Sequence, residues 1–185
     1  GRPGCVSSSL RKVLPGKMQQ TVKDIRDALI AAMERWFQRG CKLRHGPACS
    51  ASAELLKLRE TPQALVRAAE LYARGCQLRD PVSCHNWSLL LSDGRAGRVD
   101  KVRALAVARA NCRRGYAVSC TNAAGLILGQ RPRAIKQARP LWEKGCRLKD
   151  GVACGNLGDH WIRHGGVRKA LLYYLLACRH RTTHG

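Results

Sequence analysis

The feature that most constrains this chain is a cysteine pair that recurs four times, each time with seven residues between its two cysteines. The first cysteines of the four pairs follow one another after 35, 36 and 34 residues. A period in this range is typical of solenoids, in which each repeat is one supersecondary unit that buries its core against its neighbours. The four pairs are Cys41/Cys49, Cys76/Cys84, Cys112/Cys120 and Cys146/Cys154.

Each period carries the signals of two helices. Thr61-Pro62 and Asp80-Pro81 each combine an N-cap residue with proline at the first helical position. Between them, Leu65, Ala68 and Tyr72 recur at helical spacing and form one apolar stripe. The same signals predict helices over Asp100–Arg113, Val118–Gly129, Pro132–Cys146, Val152–His164 and Val167–Cys178, with Thr21–Gln38 upstream and Val6–Leu14 as its partner.

These helices predict an all-α solenoid, an α/α superhelix of about five helix pairs, with residues 1–185 as a single repeat domain. Within it, residues 1–20 would form an N-terminal partial repeat, residues 21–178 the repeats and residues 179–185 a tail. No apolar run approaches the 18 residues of a transmembrane helix, so we expect no transmembrane segment.

Each cysteine pair would join the end of one repeat's second helix to the first turn of the next repeat's first helix. Seven intervening residues can form a helix end, a turn and a helix start, which brings the two Cα atoms within disulfide reach, about 4.4–6.8 Å. Two alternatives are buried free thiols and a metal site, but zinc ligands usually stand only two to four residues apart. Four disulfides would imply an oxidising compartment.

Two cysteines, Cys5 and Cys178, remain unpaired in this scheme. Cys178 is in register with the first cysteine of a pair, and Cys5 could be a second cysteine, so both partners would lie outside the chain. The sequence also begins at Gly1 without a methionine or a signal-like apolar stretch. These features predict either a processed mature form or a segment of a longer array.

The charge is strongly unbalanced, with 34 Lys and Arg against 12 Asp and Glu and a formal net charge of +22. Such a field attracts acidic proteins, anionic lipid or nucleic acid, although an excess of arginine also arises from genomic base composition. The basic residues are spread over every repeat without interleaved aromatic residues, so we expect an acidic surface as a partner rather than specific nucleic acid. No phosphate-binding loop follows a predicted strand, and we expect no cofactor.

The segment after Cys154 carries a family resemblance. Asn156-Leu157-Gly158, a Gly165-Gly166 loop, Lys169-Ala170 and Ala177-Cys178 resemble Sel1-like repeats, which are related to tetratricopeptide repeats. The disulfide-rich sub-type typified by the Helicobacter cysteine-rich proteins is the most similar. This resemblance, which covers about Thr21 to Cys178, implies a right-handed superhelix whose inner surface binds peptides. Because mitochondrial intermembrane-space assembly factors are also similar, the expected location is secreted or periplasmic, with that space as the alternative.

The candidate ligand-binding residues lie on the first helices, which the resemblance places on the concave face. Asn86, Asn122 and Asn156 each follow the second cysteine of a pair by two residues, and an amide both donates and accepts hydrogen bonds. The alternative for these residues is satisfaction of local backbone groups. His85, Trp87 and His160 complete the candidate set, although Trp87 could equally serve inter-helix packing. His160 and His164 lack a His-Glu-x-x-His motif, so no metal site is predicted.

The sequence therefore predicts a non-catalytic scaffold that binds a protein or peptide in an oxidising compartment. Some relatives of the resembled family are described as penicillin-binding, weak β-lactamases, so the resemblance implies such a hydrolase as the alternative. Ser9 and Lys12 form a Ser-x-x-Lys pattern, but no Ser-Asp-Asn or Lys-Thr-Gly accompanies it, and no catalytic residue is predicted. A second alternative is an electrostatic binder of anionic partners.

Overall fold

A computed structural model of the protein describes residues 16–59 and 61–181, and nine helices account for most of them. No strand occurs among these residues. The helices are α1 Gly16–Lys42, α2 Gly46–Lys57, α3 Pro62–Gln77, α4 Pro81–Asp93, α5 Lys101–Arg113, α6 Ala117–Gln130, α7 Ile135–Arg147, α8 Gly151–Arg163 and α9 Val167–Arg181.

Helices that follow one another in the chain pack against one another, which confirms the predicted solenoid. The pairs α2/α3, α4/α5, α6/α7 and α8/α9 are four complete repeats, and α1 holds the second-helix place before them. Consecutive first helices (α2, α4, α6, α8) also contact each other directly, whereas consecutive second helices do so less. The first helices therefore lie on the inner side of the stack. The predicted partner of α1, Val6–Leu14, lies outside the described residues.

Local signals explain where the helices begin. The Thr61 hydroxyl accepts a hydrogen bond from the Ala64 amide at 3.2 Å, and the Asp80 carboxylate accepts one from the Ser83 amide at 2.8 Å. Both predicted N-caps are thereby confirmed.

Three helices differ from prediction by three residues or more. Helix α1 extends further at both ends than Thr21–Gln38, α9 continues beyond Cys178 to Arg181, and α7 begins at Ile135 instead of Pro132. The last difference has a local cause, since the Ala134 amide donates to the Arg131 carbonyl at 2.9 Å. This bond closes a β-turn in which Pro132 holds the second position, where its fixed φ is favoured.

All four predicted disulfides are present, and each clips one repeat to the next. Their Cα–Cα distances are 4.6, 4.5, 4.6 and 4.8 Å in chain order. The third residue after each first cysteine has a positive φ, which reverses the chain between the helices: Arg44, Arg79, Gly115 and Lys149. Cys178 is a free, exposed cysteine, and Cys5 lies outside the described residues.

The two helices joined by a clip approach so closely that a side chain between them must be very small. A Cβ atom at Gly75 would lie 2.1 Å from the Ser83 hydroxyl oxygen, well inside van der Waals contact. Alanine fills many other helix crossings, including the fully buried Ala68, Ala104 and Ala153. The core is therefore thin, and large buried side chains such as Tyr72 and Leu157 are few.

Candidate functional site: the inner surface of the first helices

Three valines occupy equivalent, solvent-accessible positions on successive first helices. Val82, Val118 and Val152 each stand two residues before the second cysteine of a pair, and they are 39%, 44% and 63% exposed. Four residues later in each helix come Asn86, Asn122 and Asn156, which lie on the same helix face as the valines. We call these six residues the inner surface.

The asparagines do not bond to their own backbone. The Asn86 amide donates to a Glu54 carboxylate oxygen at 3.0 Å, and the Asn122 amide donates to the Ser88 hydroxyl at 2.7 Å. In both cases the acceptor lies on the preceding first helix, so these asparagines link one repeat to the next. Satisfaction of local backbone groups, the alternative raised by the sequence, is not what these two side chains do.

Asn156 differs from the other two asparagines. The residues of α6 that correspond to Ser88 and Glu54 are Ala124 and Gly125, which carry no acceptor in their side chains. Within the described part of the chain, the half-buried Asn156 amide consequently has no side-chain hydrogen bond. This amide can donate to and accept from a bound backbone.

Glu54 connects the first of these links to the core. The hydroxyl of the buried Tyr72 donates to it, and the Lys57 ammonium lies 3.1 Å from its other carboxylate oxygen. Burial and the neighbouring Glu54 raise the pKa of Tyr72 well above its usual range, so the phenol remains protonated and donating. Glu54 thus joins three elements, namely its own helix, the second helix of its repeat and the next first helix.

His85 directly precedes Asn86 in α4, and its ring centroid is 5.9 Å from that of Tyr116. Burial lowers the pKa of His85, the charge of Lys57 lowers it further, and Asp150 opposes the effect in part. The imidazole is therefore neutral at pH 7. Its Nδ1 is buried and has no hydrogen-bond partner in the described residues.

Trp87 lies apart from the inner surface, whereas His160 stands four residues after Asn156 on the same face of α8. Trp87 packs against the core cluster that contains Tyr72 and Leu90, and the Arg103 guanidinium stacks over its ring at 4.7 Å. It therefore serves inter-helix packing, which was the alternative the sequence left open. The His160 ring lies 4.4 Å from that of His164, and burial with the nearby charges of His164 and Arg139 lowers its pKa.

The structure thus places the three asparagines at one register of successive first helices, but it does not add Trp87 to the same surface. Sequence reasoning missed the valine row. Its signal was present, because valine stands at the same offset before Cys84, Cys120 and Cys154. Among residues 16–59 and 61–181, no three His, Cys, Asp or Glu side chains are grouped as metal ligands. Ser9 and Lys12 lie outside the described residues.

A second surface runs along the edge where the disulfides lie, which we call the clip edge. Its basic residues, on the last turns of the second helices and the turns that follow, have no ion pair with a carboxylate in the described part of the chain. The clip edge consequently carries an excess of positive charge, against which the same turns place the buried carboxylates of Asp80 and Asp150. Its basic residues are Arg39, Lys42, Arg44, Arg74, Arg79, Arg113, Arg114, Lys144, Arg147 and Lys149.

Comparison with known proteins identifies the fold. No protein-family model and no curated protein matches the sequence. Among solved structures, the protective antigen c5321 of uropathogenic Escherichia coli, which displays an SLR fold, superposes with a TM-score of 0.69 at 17% identity over 79% of this chain and 33% of its own. A Sel1 repeat protein from Oxalobacter formigenes gives a TM-score of 0.68 at 14% identity, over 80% of this chain and 63% of its own.

The chain therefore has the Sel1-like repeat fold, with a disulfide clip at each of four junctions between repeats. It spans about a third of the E. coli protein and under two thirds of the Oxalobacter protein. In the described part of the chain, no helix has the combination of length and apolar character that crossing a membrane requires.

Proposed function

We propose that the protein is a non-catalytic scaffold that binds an extended peptide segment of a partner protein on the inner surface. The observation that carries this proposal is the row of exposed valines, Val82, Val118 and Val152, at one register of three successive first helices. Repeated apolar contacts of this kind supply the free energy of binding, while the Asn156 amide is free to bond the peptide backbone.

The spacing of the helices suggests the form of the ligand. Packed helices lie about 8–10 Å apart, and a polyproline II peptide advances about 9.3 Å over three residues. A peptide of this form that crosses the first helices would present every third residue to a valine. We therefore propose apolar residues at every third position of the ligand.

The disulfide clips support both the mode of binding and the compartment. Because each clip fixes the angle between consecutive repeats, the inner surface is preorganised and loses little entropy when the peptide binds. Disulfides persist in oxidising environments, so we propose that the protein acts in a secreted or periplasmic setting, or alternatively in the mitochondrial intermembrane space. The clip edge favours a partner with an acidic surface.

Selection of a displayed library of random linear 12-residue peptides on the oxidised protein tests the proposal. We expect enrichment of peptides with apolar residues at every third position, and we expect Val118→Asp to weaken the binding of a synthesised, selected peptide by at least about tenfold, since a buried valine contributes about 1.5–3 kcal/mol. Isothermal titration calorimetry measures both affinities.

Val102→Asp is the matched control. Val102 and Val118 are each the second residue of their helix, but Val102 belongs to a second helix and is 78% exposed. Binding to Val102→Asp should match that of the unmodified protein. Failure to enrich any peptide, or an equal loss of affinity in both variants, would remove the inner surface as the binding site.

A further inference from the structure

We propose that the Cys76–Cys84 disulfide is a thiol-exchange site, at which an external thiol opens one clip while the other three remain closed. The first observation is accessibility. Cys76 is half-buried, whereas the other seven clip cysteines are at most 6% exposed. Because thiol–disulfide exchange requires direct attack on a sulfur atom, we assign Sγ of Cys76, the most exposed of the eight clip cysteines, as the atom attacked and Cys84 Sγ as the leaving group.

The second observation is a cation beside Cys84 Sγ, the sulfur of the leaving group. Nη2 of Arg114 lies 2.9 Å from Cys84 Sγ and also donates to Oδ1 of Asn111 at 3.2 Å. Asn111 is itself fully buried, and its amide donates to the Pro81 carbonyl and to the Ser119 hydroxyl, both at 2.8 Å. The guanidinium is therefore held in place, and an adjacent cation stabilises a departing thiolate.

This arrangement is peculiar to one junction. Arg114 stands two positions after the first cysteine of the third pair, and it contacts the disulfide of the second pair. At the other three junctions the residue in this position is leucine, namely Leu43, Leu78 and Leu148. Asn111 likewise replaces the glycine that the other three copies carry just before the first cysteine.

At the neighbouring Cys112–Cys120 disulfide, the groups that face the sulfur are carbonyl oxygens and not a cation. Cys120 Sγ is faced by the carbonyl oxygens of Cys112 and Tyr116, each at 3.8 Å, and by no guanidinium in the described residues. A thiolate at Cys120 would therefore be repelled by its surroundings. At the Cys84 site the Cys76 carbonyl lies 3.6 Å from Sγ, but the Arg114 charge outweighs it.

Two other charged groups face this junction. The Asp80 carboxylate is buried and accepts a hydrogen bond from the Ser83 amide at 2.8 Å. The N-terminus of α4 therefore stabilises the negative charge of Asp80. Arg79 and Arg114 line a cavity of about 250 Å³ with Tyr116. Their guanidinium groups would attract an anionic thiol that carries carboxylates, which is the class of co-reactant we propose.

The exchange forms one sulfur–sulfur bond and breaks another. The thiolate sulfur of the incoming molecule forms a bond to Cys76 Sγ, the Cys76–Cys84 bond breaks, and its electron pair leaves on Cys84 Sγ. The products are a mixed disulfide on Cys76 and a thiolate at Cys84 beside Arg114. A second thiolate can attack the mixed disulfide to release Cys76 and the oxidised thiol, which completes reduction of that clip.

Graded exposure of the oxidised protein to reduced glutathione, followed by alkylation and peptide mapping, tests the proposal. We expect Cys76–Cys84 to open first, with glutathione on Cys76 and the alkyl label on Cys84. Arg114→Leu restores the residue found at the other three junctions, and it should slow opening by about tenfold, because a hydrogen bond to a charged group strengthens as charge develops on its acceptor.

Arg113→Leu is the matched control, since it removes the same charge one residue away without a contact to sulfur, and its opening rate should equal that of the unmodified protein. Thermal unfolding followed by circular dichroism establishes that each oxidised variant is folded. The proposal is overturned if the four disulfides open together, if another clip opens first, or if folded Arg114→Leu opens as fast as Arg113→Leu. The order of opening in the unmodified protein tests it independently of any variant.

Discussion

Complete reduction of the four disulfides is expected to unfold the protein at temperatures where the oxidised form remains folded. Each clip joins cysteines eight residues apart, and closing such a loop contributes about 2.5 kcal/mol in the chain-entropy account. Four clips together contribute about 10 kcal/mol, which is comparable to the entire free energy of unfolding of a typical domain, about 5–15 kcal/mol. The thin, alanine-rich core leaves little to replace them.

Circular dichroism melts with and without a phosphine reductant measure this effect. The Cys178→Ser variant provides the background, because Cys178 is free and exposed and could otherwise exchange with the clips. In its oxidised form this variant should melt like the unmodified protein. A reduced protein that melts within a few degrees of the oxidised one would show that packing alone stabilises the repeats.

The second large effect is expected from Tyr72→Ala, which should lower the free energy of unfolding by about 3–5 kcal/mol. Tyr72 is fully buried and packs against Ala53, Leu56 and Leu90, so its removal leaves a cavity between two repeats. It also removes the hydroxyl that donates to Glu54, the residue that Asn86 of the next repeat binds. Urea unfolding of the oxidised variant measures the loss.

Tyr72→Phe separates the two contributions. It keeps the ring in the cluster and removes only the hydrogen bond to the Glu54 carboxylate, so we expect a loss of about 1.5–3 kcal/mol, the range for a hydrogen bond to a charged group. If Tyr72→Ala costs no more than Tyr72→Phe, the ring does not join the two repeats, and the core between α3 and α4 would need a different description.

The sequence predicted the architecture well because its strongest signals are local. A cysteine period of 34 to 36 residues and the cap-plus-proline pairs at Thr61 and Asp80 depend on a few neighbouring residues, and the structure confirms them. Pro132 failed as a helix start because the same residue is equally suited to a β-turn. The hydrogen bond from the Ala134 amide to the Arg131 carbonyl favours the β-turn over a helix start, and the sequence does not reveal this bond.

The site was less predictable because its properties depend on residues about one repeat away. Asn86 and Asn122 acquire their partners from the preceding first helix, and Asn156 lacks one only because Ala124 and Gly125 stand where acceptors would be. The contact of Arg114 with Cys84 spans 30 residues for the same reason. A comparison of the repeats shows which residues depart from the pattern, but only the packing of the helices shows which side chains those residues contact.

The connectivity of the cysteines in the native protein tests the central claim, that consecutive repeats are clipped together, most directly. The protein would be purified without reductant, its free thiols alkylated, and the chain digested with trypsin, which cuts between the two cysteines of every pair because each copy has Lys or Arg there. We predict four two-chain peptides that separate on reduction, linking Cys41 to Cys49, Cys76 to Cys84, Cys112 to Cys120 and Cys146 to Cys154, with Cys178 alkylated. Alkylation of the eight paired cysteines, or links between other partners, would contradict the clipped solenoid.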